Sequence, residues 1–305
     1  MITIIGSGRV GSTIASQLVA ESVDDLLLVD IIDGLPQGEG LDLTHMASHY
    51  GSDVEVTGSN DYRDMTGSNL VIVPAGLARK PGMTRLDLLQ KNTEIIIKIS
   101  EKIKEYAQKA IVMMITNPLD AMTYVALKTT AFPPNRVFGM GGMLDLARFT
   151  SLIAESLGVS YESVQSMVIG QHGEAMLPLP RFSSVGGIPL LDMIGEGEAN
   201  ELVEKTRKVA AQVIEMKGAT FYAPGKSVAD MVQSIVRDKK TVIPVSAYLN
   251  GEYGVHDLCI GVPVVLGNNG VERIVELKLN EQEQTQFMKG ATALKSALGQ
   301  IGLHE

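Results

Sequence analysis

The sequence predicts an α/β protein in two parts: a doubly wound parallel sheet over residues 1–140, then an α+β domain over 141–305. Three observations predict it. Short apolar runs alternate with amphipathic stretches through the first half, which is the pattern of βαβ units. The second half loses that alternation for long helical stretches and a hairpin signal. Between the two lies the glycine-rich stretch Gly139-Met140-Gly141-Gly142.

Taken in order, the apolar runs are Ile2–Ile5, Leu26–Val29, Val54–Val56, Leu70–Val73, Ile111–Ile115 and Val137–Phe138. Residues 88–103 repeat apolar side chains at three- and four-residue spacing, as a helix with one buried face does. Six strands joined by right-handed helical crossovers make two mononucleotide-binding halves. Beyond residue 140, residues 144–157 and 200–216 read as helices, with short strands at 168–169 and 188–191. Strands at 262–266 and 271–277 flank Gly267-Asn268-Asn269-Gly270. There Asn269-Gly270 predicts a hairpin whose two central residues both take positive φ. A last helix spans 281–298.

Composition excludes several classes. A net charge of −9 opposes nucleic acid and anionic membranes, and any acidic substrate must be gripped by particular arginines. One cysteine, Cys259, rules out an internal disulfide and fits a reducing, cytoplasmic setting. No apolar run approaches the roughly 18 residues of a membrane span. The basic stretch at 98–109 is interleaved with Glu101 and Glu105 and reads as a solvated helix face. No His, Cys and carboxylate cluster is spaced for a metal.

Gly6-Ser7-Gly8-Arg9-Val10-Gly11 follows the first strand and opens a helix. This is the Rossmann dinucleotide fingerprint: a tight turn, close backbone approach to the pyrophosphate, close helix packing, and a helix N-terminus facing the phosphates. Asp30 ends the second strand nineteen residues after Gly11, where an acid accepts hydrogen bonds from a ribose diol. A carboxylate there repels a 2′-phosphate, and Ile31 and Ile32 supply no cation, so NAD is favoured over NADP. Asp33 is a rival in a poorer position.

Three further segments carry chemistry-bearing residues. Residues 75–85 place Arg79, Lys80 and Arg85 in a loop with Gly76, Pro81 and Gly82, at the sheet edge where ligands bind; a solvated basic turn is the competing reading. Asp145 and Arg148 share one helix face, as a surface ion pair or, with apolar neighbours, a buried one. His172, followed by Gly173, can stand at a strand end with its ring free as a general base, oriented by a carboxylate. His45, His49, His256 and His304 read as structural or exposed.

The ordered set GSGRVG, VD, ARKPGMTR, ITNPLD, GMGGMLDLARF and GQHGEAMLP resembles the lactate/malate dehydrogenase family across essentially the whole chain. Its GQHGE form is similar to the lactate-dehydrogenase-like branch of malate-specific members. The resemblance implies hydride exchange between NAD and a small 2-hydroxy acid. It makes His172 the proton acceptor, Asp145 its orienting carboxylate, Arg148 the clamp on the C1 carboxylate, and Arg85 the group that polarises the reacting carbonyl. Asn117 would bind substrate, with Ile115, Thr116 and Asn117 lining the nicotinamide. Asn92 would lie near the cofactor and Thr220 in the pocket wall. It also implies a homo-oligomer, a tetramer ahead of a dimer.

Within that resemblance Arg79 reads the far end of the acid. Lactate-specific members carry glutamine at the matching position and malate-specific members arginine, so malate and oxaloacetate are the expected pair. A lactate dehydrogenase or broad 2-ketoacid reductase is the rival of the same class. A non-catalytic NAD-binding sensor is the rival of a different class.

Overall fold

The computed structural model describes residues 1–78, 82–173 and 175–303. Arg79, Lys80, Pro81 and His304, all named above, and Glu174 of the GQHGE motif lie outside the described residues.

The first half alternates as expected: β1 (Ile2–Ile5), α1 (Arg9–Ala20), β2 (Leu26–Val29), α2 (Leu35–Tyr50), β3 (Val56–Ser59), β4 (Leu70–Val73), α3 (Arg85–Tyr106), β5 (Ile111–Met114), α4 (Leu119–Thr130) and β6 (Val137–Gly139). The parallel strand order β3-β2-β1-β4-β5-β6 is that of two mononucleotide-binding halves joined at β1 and β4. Every residue of β1, β2, β4 and β5 is buried, because helices cover both sheet faces. One expected strand is displaced. β3 begins at Val56 rather than Val54, since Val56 is the residue that pairs with Leu26. Its Gly58 lets the start of α2 lie directly on the strand; a Cβ there would meet the Pro36 carbonyl oxygen at 2.1 Å.

The second half comprises α5 (Met143–Leu157), β7 (Val164–Gln165), β8 (Val168–Gly170), β9 (Met176–Pro178), β10 (Ser184–Val185), β11 (Ile188–Pro189), α6 (Leu190–Lys217), α7 (Tyr222–Val236), β12 (Thr241–Asn250), β13 (His256–Gly267), β14 (Gly270–Ile274) and α8 (Glu281–Gly299). Helix α6 starts ten residues before the expected position and is interrupted at Gly195, whose φ is 69°. At the β13–β14 turn, Gly270 has φ 83° and Asn269 does not share the positive φ expected of it. Asn268 and Asn269 span the turn and Gly270 follows as the left-handed residue, with a register shift in the ladder behind it.

β12 and β13 attach antiparallel to the edge of the first sheet, through Ser246 opposite Gly139 of β6. Among the described residues this makes one eleven-stranded sheet, β3-β2-β1-β4-β5-β6-β12-β13-β8-β9, with β14 on β13. The main apolar core follows it through both halves. A second cluster, including Phe149, Ile153 and Leu202, sits under α5 and α6. The glycines at the junction are needed for this attachment. A Cβ on Gly141 would stand 2.4 Å from the Ser246 nitrogen, and one on Gly139 3.2 Å from Ser246 Cβ.

Candidate active site

The glycine loop is built for a close approach. Gly6 has φ 109°, and a Cβ on it would touch Ala75 at 2.8 Å. A Cβ on Gly11 would fall 1.9 Å from the Gly6 carbonyl oxygen, so helix and strand meet backbone to backbone. Gly8 caps α1 with open space above it, leaving the first helical N–H groups, from Arg9 and Val10 onward, to face an anion. Asp30 lies beside this loop. One carboxylate oxygen accepts the Ser7 N–H at 2.7 Å and the other the Ile32 N–H at 3.0 Å. Ile31 and Ile32 are exposed on the rim, while Asp33 makes no side-chain bond among the described residues. Open space over Gly8, a helix N-terminus and an adjacent carboxylate fit a dinucleotide's pyrophosphate and adenosine ribose.

Farther along the same sheet edge, Thr116 donates to the carbonyl oxygens of Val73 and Ala75, and Ile115 is buried. The Asn117–Pro118 peptide is cis, and Asn117 is exposed. Asn92 packs against the same turn. It is fully buried, donating to the carbonyl oxygens of Leu77 and Asn117 and accepting from the Leu77 N–H. Its side chain is a bracket between the base of the 75–85 loop and the Asn117 turn.

The catalytic candidates converge around one imidazole. His172 Nδ1 stands 2.7 Å from Asp145 Oδ2, and Arg148 donates to Asp145 Oδ1 at 3.0 Å. Asp145 is 1% exposed, Arg148 13% and His172 12%, so the Asp145–Arg148 pair is the buried one of the two readings. A carboxylate only accepts, so Nδ1–H donates and Nε2 is left as the base. Burial alone would depress the imidazole pKa. The charge and hydrogen bond of Asp145, with the charge of Asp120 added, outweigh it and raise His172 above its ordinary value.

Asp120 and Ser246 were not anticipated. Asp120 Oδ2 accepts the His172 backbone N–H at 2.8 Å, and its Oδ1 accepts the Ser246 hydroxyl at 2.7 Å. Burial pushes the Asp120 carboxyl upward, against the pull of Ser246 and His172. Spacing could not show this contact, because the partners are 52 and 126 residues away.

His172, Gln171, Asn117 and Arg85 line a cavity of about 860 Å³ closed on its far side by α8. Arg85 is the first residue of α3, held there by a reciprocal cap in which Thr84 and Asp87 bond each other's backbone N–H. Arg148 reaches the cluster through Asp145, and neither it nor Thr220 is among the residues lining the cavity. Among the described residues no group of three His, Cys, Asp or Glu is placed to hold a metal, and no helix is long and apolar enough to cross a membrane.

A nucleotide-binding parallel sheet whose edge runs into a buried Asp–His pair and an adjoining cavity defines a dinucleotide-dependent oxidoreductase. The chain belongs to the lactate/malate dehydrogenase family. Residues 1–139 match that family's NAD binding domain, and residues 142–302 its alpha/beta C-terminal domain. NAD is accordingly the cofactor. A malate dehydrogenase of Caldivirga maquilingensis is 48% identical, covering 99% of this chain and 98% of its own. The structure of the malate dehydrogenase from Aeropyrum pernix superposes with a TM-score of 0.96 at 46% identity, covering all of both chains. A lactate dehydrogenase from Eimeria maxima, solved with NADH and oxamate, superposes at 0.95 with 35% identity over 99% of this chain and 93% of its own. Fold likeness therefore does not separate the two substrates.

Proposed function

We propose that this chain is an NAD-dependent malate dehydrogenase, interconverting (S)-malate and oxaloacetate. The observation that carries the reading is the His172–Asp145–Arg148 cluster beside a cavity at the cofactor's end of the sheet, in a chain 48% identical to a malate dehydrogenase. A sensor of NAD alone needs none of these three groups.

When bound, the nicotinamide supplies the hydride acceptor for malate oxidation. His172 Nε2 takes the hydroxyl proton as the C2–H bond breaks and the carbonyl forms, and Asp145 stabilises the resulting imidazolium. Arg148 pairs with the C1 carboxylate, a planar fork matched to a planar anion. Arg85, at the start of α3, supports the carbonyl oxygen in the reverse direction. Asn117 hydrogen-bonds the substrate. Arg79 takes the second carboxylate. Against pyruvate it would be a desolvated cation with nothing to pair, which disfavours that substrate. A steady-state assay of NADH oxidation with oxaloacetate and with pyruvate tests this. Oxaloacetate is expected to lead by at least about a hundredfold in kcat/KM. Arg79→Gln should narrow or reverse the gap, and equal use of both acids by the wild type would refute the malate reading.

The division into an NAD-binding domain over 1–140 and a catalytic domain over 141–305 belongs to the same proposal, as do a cytoplasmic setting and a homo-oligomer, the tetramer ahead of the dimer. Leu41, Tyr50, Ile214, Met216 and Tyr222 support the last: they are large, exposed and carried on α2, α6 and α7. Light scattering on the purified protein decides it, a mass of one chain being the contrary result.

A further inference from the structure

We infer that Asp120 and Ser246 are positioning residues for His172, holding its main chain while Asp145 holds its ring. The inference rests on the functional reading above. Two carboxylates grip one residue from two sides: Asp145 at Nδ1 at 2.7 Å and Asp120 at the backbone N–H at 2.8 Å. Asp120 projects from the first turn of α4, three residues after Asn117, so one short stretch both offers a substrate contact and fixes the base. Its other oxygen is pinned by Ser246, which is wholly buried in β12. Ser246 has no freedom to follow a moving partner. Gly139 pairs with it across the sheet, and a Cβ on Gly141 would strike its nitrogen. The His172 loop is thereby tied to the junction of β6 and β12.

The charge makes the arrangement more than scaffolding. Asp120 is 2% exposed, yet both of its hydrogen-bond donors are neutral groups. A buried carboxylate without a cation is costly to keep. The cationic group set beside it is the imidazole of His172 once protonated. Asp145 and Arg148 face that ring from α5, and Arg85, Arg207 and Lys289 line the cavity in front of it.

Two variants of the full-length protein test this. In Asp120→Asn the amide oxygen can still accept the His172 N–H, and the Ser246 hydroxyl can turn to accept from the amide, so charge is lost while the bonds are kept. The His172 ring, followed by NMR titration without substrate, is expected to titrate at lower pH, and the midpoint of the kcat/KM profile to move with it. A group needed only for folding would not move that midpoint. Ser246→Ala removes the pin and is expected to lower kcat about tenfold with NADH affinity retained. An unmoved imidazole midpoint in folded Asp120→Asn overturns the inference; if that variant does not fold, wild-type kcat in Ser246→Ala does so. Because the titration needs no substrate, inactivity of the wild type towards oxaloacetate would defeat the functional reading and leave this measurement standing.

Discussion

At the scale of single residues, the pKa of His172 fixes the pH response. Malate oxidation needs the neutral ring and oxaloacetate reduction the protonated one. The folded value is raised above the ordinary one, so kcat/KM for oxidation should climb, and that for reduction fall, through a midpoint above the ordinary imidazole range. His172→Asn is expected to remove both limbs and about 10²–10⁴ of the rate, while NADH binding by fluorescence holds. Retained turnover would displace His172 from the role of base. Asp30 is the second testable position. With its carboxylate held beside the glycine loop by the Ser7 and Ile32 N–H groups, its replacement by serine should raise NADP use relative to NAD by about tenfold or more. A wild type already preferring NADP contradicts the ribose assignment. The GxGxxG spacing and Asp30 were legible because their geometry is local. Asp145 and Arg148 were legible as a pair for the same reason. That His172 meets Asp145, 27 residues away, came from resemblance, not from spacing. Asp120 and Ser246 escaped both, being a contact between three distant elements.

Among elements, those with one strong period were read nearly to their ends: β1, β2, β4 and α8 lie where the apolar pattern puts them. Where the sequence was opaque, two causes recur. β12 was missed because Pro244 sits in its middle, and proline argues against a central strand. In the fold Pro244 lies directly opposite Pro263 of β13, so two residues without N–H face each other in the ladder. α7 was missed because Pro224 and Gly225 stand in its first turns and read as helix breakers, although Val228, Met231, Val232 and Ile235 form an apolar stripe behind them. Gly225 allows that helix to pack on α1, since a Cβ there would meet Thr13 at 2.5 Å. The contact between α1 and β1 gives a prediction of its own. Gly11→Ala puts a methyl group inside van der Waals distance of the Gly6 carbonyl. Displacing it should cost about 1–3 kcal/mol, seen as a lower Tm by calorimetry, and should weaken NADH binding as the loop shifts. Wild-type affinity in that variant would show that the close approach is dispensable.

For the molecule as a whole, the unbroken strand ladder from β3 to β9 carries a mechanical consequence. The Ser246–Gly139 pairing welds the cofactor half to the half that bears the imidazole. Two bodies sharing one hydrogen-bonded sheet cannot swing like jaws around a ligand. Whatever breathing the cleft needs must come from short segments at its rim, at little cost in overall shape. The radius of gyration from X-ray scattering should stay constant from the free protein to the one saturated with NADH and a substrate analogue.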